Sequence, residues 1–251
     1  MNNLDPRPGV IDRRLDAVER LVAVSGGKGG IGKSVVSAGL ALVLARQGLR
    51  VGLLDLDLTG PCGHLILGID TSFPEESFGL IPPLAHGIRF MSISCFTGAE
   101  AAPLRGADVS NAIIELLTIV QWGRLDYLII DMPPGLGDAL LDAVRLLRRS
   151  EFLIVSTASR VVVQTVQRTL RLLDMVQVPV AGIVENMQRD GYAADPDIRA
   201  LARDRGLPFW GSLPFDACLE PAVGDPEALA CTAFAQALGK MVRSHLLAAR
   251  D

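Results

Sequence analysis

Short, almost purely apolar runs alternate along the chain with longer stretches in which apolar residues return every three or four positions. The apolar runs are Leu21–Val24, Val51–Asp55, Ile88–Ser94, Tyr127–Asp131, Phe152–Ser156, Val180–Val184 and a short Pro208–Gly211. Their length and β-branched content predict strands buried on both faces. The periodic stretches predict helices over Lys33–Gln47, Val109–Val120, Asp138–Leu147, Val163–Val176 and Asp197–Arg205, with a closing helix over Pro226–Leu247. Gly48 supplies the stop after the first of them. A polar lead-in, residues 1–20, carries one short helical pattern on Ile11, Leu15 and Val18. Between Leu56 and Gly87, Pro61, Pro74, Pro82 and Pro83 forbid a long element. Strands alternating with helices imply an α/β fold: a mostly parallel, doubly wound sheet in three layers, as one domain over residues 21–251 after the lead-in. Ligands of such sheets bind at the carboxyl ends of the strands.

Composition changes this picture little but removes alternatives. The chain has 251 residues, 49% hydrophobic and 21% charged, and a net charge of −4. That is a globular composition, and its negative sign disfavours sequence-independent binding of nucleic acid. No apolar stretch approaches the ~20 residues that span a bilayer, and the first residues hold no hydrophobic signal core. The tail Phe234–Asp251 reads as a docked core helix, not a basic membrane anchor. The expectation is a cytoplasmic protein with no membrane or nucleic-acid partner. Its four cysteines, Cys62, Cys95, Cys218 and Cys231, contain no C-x-x-C pair and are expected to stay unpaired in a reducing compartment.

The chemistry concentrates where the first strand turns into the first long helix. Gly27-Lys28-Gly29-Gly30-Ile31-Gly32-Lys33-Ser34 fits G-x-x-x-x-G-K-[ST], the loop that wraps nucleotide phosphates. Its glycines let successive N–H groups point at phosphate oxygens, and the helix start adds positive potential. Lys33 would neutralise the outer phosphates and Ser34 would ligate Mg²⁺. Asp55 and Asp131 end apolar strands, where a carboxylate holds Mg²⁺ directly or through water. A turn or helix-cap aspartate is the competing reading, stronger for Asp55. Asp57 opens the loop Leu58-Thr59-Gly60-Pro61 and is the candidate for orienting the attacking water. Pro133, Pro134, Gly135 and Gly137 form a constrained loop after Asp131, a candidate γ-phosphate switch. No N-K-x-D guanine-reading motif occurs, which favours ATP.

The K-G-G-x-G-K-S arrangement from Lys28 to Ser34 resembles the deviant Walker A loop of the MinD/ParA/nitrogenase-iron-protein group. DLDLTGP at Asp55–Pro61, LRG at Leu104–Gly106, WGRLDYLIIDMPPG at Trp122–Gly135, GIVENM at Gly182–Met187 and GSLPFD at Gly211–Asp216 narrow it further. Together these motifs are similar to the Mrp/ApbC family of ATP-binding iron–sulfur cluster carriers, from about Leu21 to the closing helix. The resemblance implies a P-loop ATPase that hydrolyses ATP slowly as a homodimer, with Lys28 crossing to the partner's nucleotide. It implies ATP contacts from Gly27 through Val35, Asn186 bonding the adenine edge and Pro214 flanking the base. It also implies a client apo-protein or metallocofactor machinery as partner. Carriers of the family follow E-N-M with a C-x-x-C pair; here Gln188–Pro196 contains no cysteine. That departure puts cluster binding at the usual site in question, and Cys62, directly after the Asp57 loop, is the candidate thiol near the nucleotide. A partner-binding ATPase switch of MinD/ParA type, without a cluster, is the alternative; a reductase like the nitrogenase iron protein ranks last, since the Asp131–Asp138 loop has no cysteine.

Overall fold

The computed structural model describes residues 7–97, 104, 106–189 and 198–248. In chain order the elements are α1 (Arg7–Leu15), β1 (Val18–Gly26), α2 (Lys33–Arg46), β2 (Val51–Asp55), α3 (Gly63–Leu67), β3 (Glu75–Glu76), β4 (Leu80–Ile81), β5 (Leu84–Ala85), β6 (Ile88–Ser92) and α4 (Ser94–Thr97). Then come α5 (Ala107–Ile119), β7 (Leu125–Asp131), α6 (Asp138–Leu146), β8 (Ser150–Ser156), α7 (Arg160–Met175), β9 (Val180–Gln188), α8 (Ile198–Asp204), β10 (Phe209–Pro214), α9 (Pro226–Cys231) and α10 (Ala233–Val242). A 3₁₀ turn at Glu220–Ala222 precedes α9, and a π-helical turn at Arg243–Leu247 follows α10.

Among the described residues the main sheet has eight strands in the order β10-β9-β8-β1-β7-β2-β6-β5. Every pairing is parallel except that of β5 with β6; β3 and β4 form a separate antiparallel ribbon. The crossover from β1 to β2 runs one way across the sheet, while those from β6 through β10 run the other way. Right-handed crossovers therefore put α2 on one face and α5, α6, α7 and α8 on the opposite one. Packing agrees: α2 contacts β1, β2, β7 and α10, whereas α5 packs with α6 and α1, and α7 with β8 and β1. The reversal of direction falls at the carboxyl end of β1, which is where such sheets open a crevice.

Burial on both faces explains the strand sequences. Every residue of β2 and β7 is buried, as are Phe152–Ser156 of β8. Helix α2 is buried nearly all round, with Val36, Leu40, Leu42 and Leu44 inaccessible or nearly so, because the sheet lies on one side and α10 on the other. Gly39 permits that approach. A Cβ there would lie 2.9 Å from Leu238 Cδ2 and 3.0 Å from Phe234 Cε1.

Several elements depart from the expected bounds for identifiable reasons. The first strand starts at Val18, not Leu21, with Val18 buried and Glu19 exposed; that alternation is strand periodicity, hidden in the sequence by the charges at Glu19 and Arg20. Ile11 and Leu15 are buried in α1, as their spacing requires, but Val18 belongs to the strand. The proline-rich segment holds one helical turn and three two-residue strands, too short to leave a periodic signal. The closing helix is broken at Thr232, whose backbone is extended (φ −67°, ψ 152°). Its Oγ1 donates to Leu229 O (2.7 Å) and accepts from Ala235 N (3.1 Å), so one residue ends α9 and caps α10. The tail is docked, as expected: Phe234, Leu238 and Val242 are fully buried. Among the described residues no helix is long and apolar enough to cross a membrane.

Candidate nucleotide site

The glycine-rich loop leaves β1 at Gly26 and enters α2 at Lys33. Gly32 adopts φ +80°, which an L side chain resists, and a Cβ on it would collide with Asn186 Nδ2. A Cβ on Gly27 would be driven into Thr165 of α7, including its backbone. The loop is thus wedged between β9 and α7 and its conformation needs glycine. No side chain caps the first turn of α2, so its N–H groups remain available to an anion.

Beneath the loop, strand register brings the carboxylates together. Asp55 and Asp131 are partners across β2 and β7, and Val24 of β1 pairs with Asp131 on the other side. Lys33 Nζ lies 2.7 Å from Asp131 Oδ1 in a buried ion pair, and Ser37 Oγ approaches the same oxygen at 3.0 Å. Among the described residues Asp131 Oδ2 is buried with no hydrogen-bond partner. Asp55 accepts from the N–H groups of Asp57 (3.0 Å), Cys62 (3.1 Å) and Gly63 (3.1 Å). Burial first, and the Asp131 charge second, push its carboxyl up to about 7, against the pull of those N–H donors and Lys33. Two buried carboxylates facing one lysine leave negative charge uncompensated. The geometry fits the reading of Asp55 as a turn residue: its carboxylate organises the loop that follows it.

Asp57 is half-buried at the start of that loop. Its Oδ1 accepts from Thr59 Oγ1 (2.8 Å) and Gly60 N (3.2 Å), which shapes the turn. Ser34 and Val35 are half-buried in the first turn of α2, and Lys28, Gly29 and Gly30 are exposed. Cys62 is half-buried, hydrogen-bonds to Ser34, and has its thiol pushed up by burial. Cys95 is buried and Cys218 and Cys231 are exposed; all four are free. Among the described residues no group of three or more His, Cys, Asp or Glu side chains is arranged to hold a metal ion.

Asn186 is buried at the end of β9, with Nδ2 donating to Ile31 O (2.9 Å). The family resemblance implies an adenine contact for it; in this structure its Nδ2 braces the phosphate loop. Pro214 ends β10 opposite Gln188 and does not line the cleft beside the loop. That cleft, about 500 Å³, is bounded by Lys28–Ile31, Thr157–Ser159, Val162, Met187 and Arg189. The segment after β8 carries no motif, yet a loop leaving a strand at the same carboxyl edge is signal enough to include it. Most of the segment where carriers place C-x-x-C, residues 190–197, lies outside the described residues, as does Arg105 of the LRG motif.

Residues 17–244 match the family model described as ParA, NUBPL iron-transfer P-loop NTPase. The chain belongs to this family. An iron–sulfur cluster carrier protein of Pseudomonas fragi is 40% identical over 177 residues, 69% of this chain and 62% of that protein. The chain thus spans less than two thirds of the relative's length. Among solved structures, a nucleotide-binding protein of Archaeoglobus fulgidus in complex with ADP superposes with a TM-score of 0.74 at 33% identity, covering 88% of this chain and 92% of that one. MinD of Pyrococcus horikoshii complexed with Mg-ADP gives a TM-score of 0.68 at 19% identity over 90% and 95% of the two chains, which is a likeness of fold. The α/β P-loop fold expected from the sequence is the fold observed.

Proposed function

We propose that the chain binds and slowly hydrolyses ATP as a nucleotide-switched homodimer in the service of iron–sulfur cluster assembly. One observation carries the nucleotide reading: a buried carboxylate oxygen, Asp131 Oδ2, stands without a donor beside Lys33 at the mouth of an uncapped glycine loop. Most buried oxygens of a protein are hydrogen-bonded, so a bare carboxylate oxygen beside Lys33 and under this loop points to a ligand that meets it. The donor set is all oxygen and fits a hard cation. Magnesium arriving with the triphosphate would be held by Ser34 Oγ and, partly through water, by Asp55 and Asp131, and would neutralise charge on the phosphate oxygens.

The chain's own groups supply the rest. Loop N–H groups and the start of α2 receive the phosphates, and Lys33 turns from Asp131 toward the outer ones. Asp57, on a loop fixed by Asp55, orients the attacking water. Lys28 is exposed at the rim of the cleft, free to reach a second copy, where a cation arriving in trans stabilises charge on the transferring group. Pro133–Gly137 would register loss of the γ-phosphate. Lys33→Ala tests the reading: ATP affinity should fall beyond detection, and retained affinity would overturn it.

The cysteines do not fit a bound cluster at the family's usual position. Gln188–Pro196 contains none, and the four that exist are scattered singly. That supports a second reading, an ATP-driven switch that binds a client without carrying a cluster itself. Anaerobic reconstitution with iron and sulfide separates the two. Stoichiometric iron that is lost in Cys62→Ala supports carriage through this thiol; iron-free protein with intact ATP-dependent dimerisation supports the switch.

A further inference from the structure

Lys33 and Ser37 stand one turn apart on the same face of α2 and converge on one carboxylate oxygen. Ser37 is buried, and its hydroxyl lies 3.0 Å from Asp131 Oδ1 and 3.1 Å from Lys33 O. It has one proton to give. The carbonyl already takes part in the helix ladder, whereas the desolvated carboxylate is the stronger acceptor, so the proton goes to Asp131. Asp131 is therefore gripped twice through Oδ1, and that grip fixes the direction of the bare Oδ2.

Nucleotide binding disturbs only one of the two grips. Lys33 carries its ammonium on a flexible four-carbon stem and is the phosphate-seeking group of the loop; Ser37 is buried a turn deeper in α2. When Lys33 turns to the triphosphate, a carboxylate held by Lys33 alone would be free to rotate just as its cation is replaced. We propose that Ser37 is a positioning residue, holding Asp131 in one orientation while the charge opposite it passes from Lys33 to Mg²⁺. This rests on the MgATP reading of the site. Ser37 touches neither phosphate nor metal; it acts through Asp131. A serine that merely satisfied its own helix carbonyl would leave metal dependence alone.

The two roles separate in a titration of a fluorescent ATP analogue (mant-ATP), read with and without Mg²⁺ on wild type and Ser37→Ala. Alanine is a good helix residue and removes only the hydroxyl. The metal-free affinity of the variant should stay within about twofold of wild type, and the Mg²⁺ concentration giving half the metal-dependent gain should rise about tenfold, the loss of one charge-assisted hydrogen bond. An unchanged Mg²⁺ half-point, or equal weakening with and without metal, would overturn the positioning role while leaving the MgATP reading intact. Wild-type protein that bound no mant-ATP, or bound it regardless of Mg²⁺, would overturn both.

Discussion

Charged side chains stand at both ends of the β2–β7 pair, Arg50 just before β2 and Asp126 at one end, Asp55 and Asp131 at the other, and the two ends are built differently. At the amino end, Asp126 is fully engaged by Arg50: Nη2 meets Oδ1 at 2.8 Å, Nε meets Oδ2 at 3.0 Å, and the Arg50 backbone N–H donates to Oδ2 at 2.8 Å. Both oxygens are used, and the guanidinium is held further above its usual range by that hydrogen bond. At the carboxyl end, Asp131 has donors on one oxygen and none on the other, and the neighbouring Asp55 is pushed up to about 7 by burial and by Asp131. The same two strands thus hold one closed carboxylate and one open one. A closed pair ties β2 to β7 and asks for nothing further. An open pair, buried under a loop of unclaimed N–H groups, is a site waiting for a cation and an anion together.

The contrast breaks most decisively at Lys33. Lys33→Ala should lower ATP affinity by more than about a hundredfold, since a buried phosphate-binding ammonium is lost; isothermal titration checks it, and Asp126→Asn at the closed end should leave that affinity unchanged. Asp57→Ala should keep ATP binding and lose about a hundredfold or more in turnover, because the role proposed for it is orientation of water and not affinity. Wild-type turnover would remove it from the mechanism. Lys28→Ala should reduce the ATP-dependent dimer fraction in sedimentation velocity and leave the monomer's nucleotide affinity within a few fold. Gly39→Ala, remote from the nucleotide, should destabilise by about 1–3 kcal/mol through overpacking against Phe234 and Leu238. Smallest is Asp126→Asn itself, expected to lower Tm by roughly 2–4 °C with no change in the Mg²⁺ dependence of ATP binding.

What could be read from the sequence was what depends on local pattern. The glycine loop, the strand-end carboxylates and the alternation of buried strand with helix are each spelled by neighbours in the chain, and β2 and the start of α2 fall on the expected residues. What could not be read depends on contact between distant segments. Nothing near Asn186 announces that its amide braces Ile31, 155 positions away. Ser37 looks like any helix serine until register places Asp131 beside it. Thr232 breaks the last helix because two caps coincide on it, a conflict that apolar periodicity does not record. Charged Glu19 and Arg20 mask the period of two that puts Val18 in β1, so apolar spacing alone extends the helical pattern to it.

The account stands on the open carboxylate being completed by magnesium and triphosphate together. Calorimetric titration of the wild-type protein with ATP, in excess Mg²⁺ and again in EDTA, tests this most directly. One site per chain, at least about tenfold tighter with the metal, is the predicted result. Affinity that is absent, or identical in the two buffers, would contradict it.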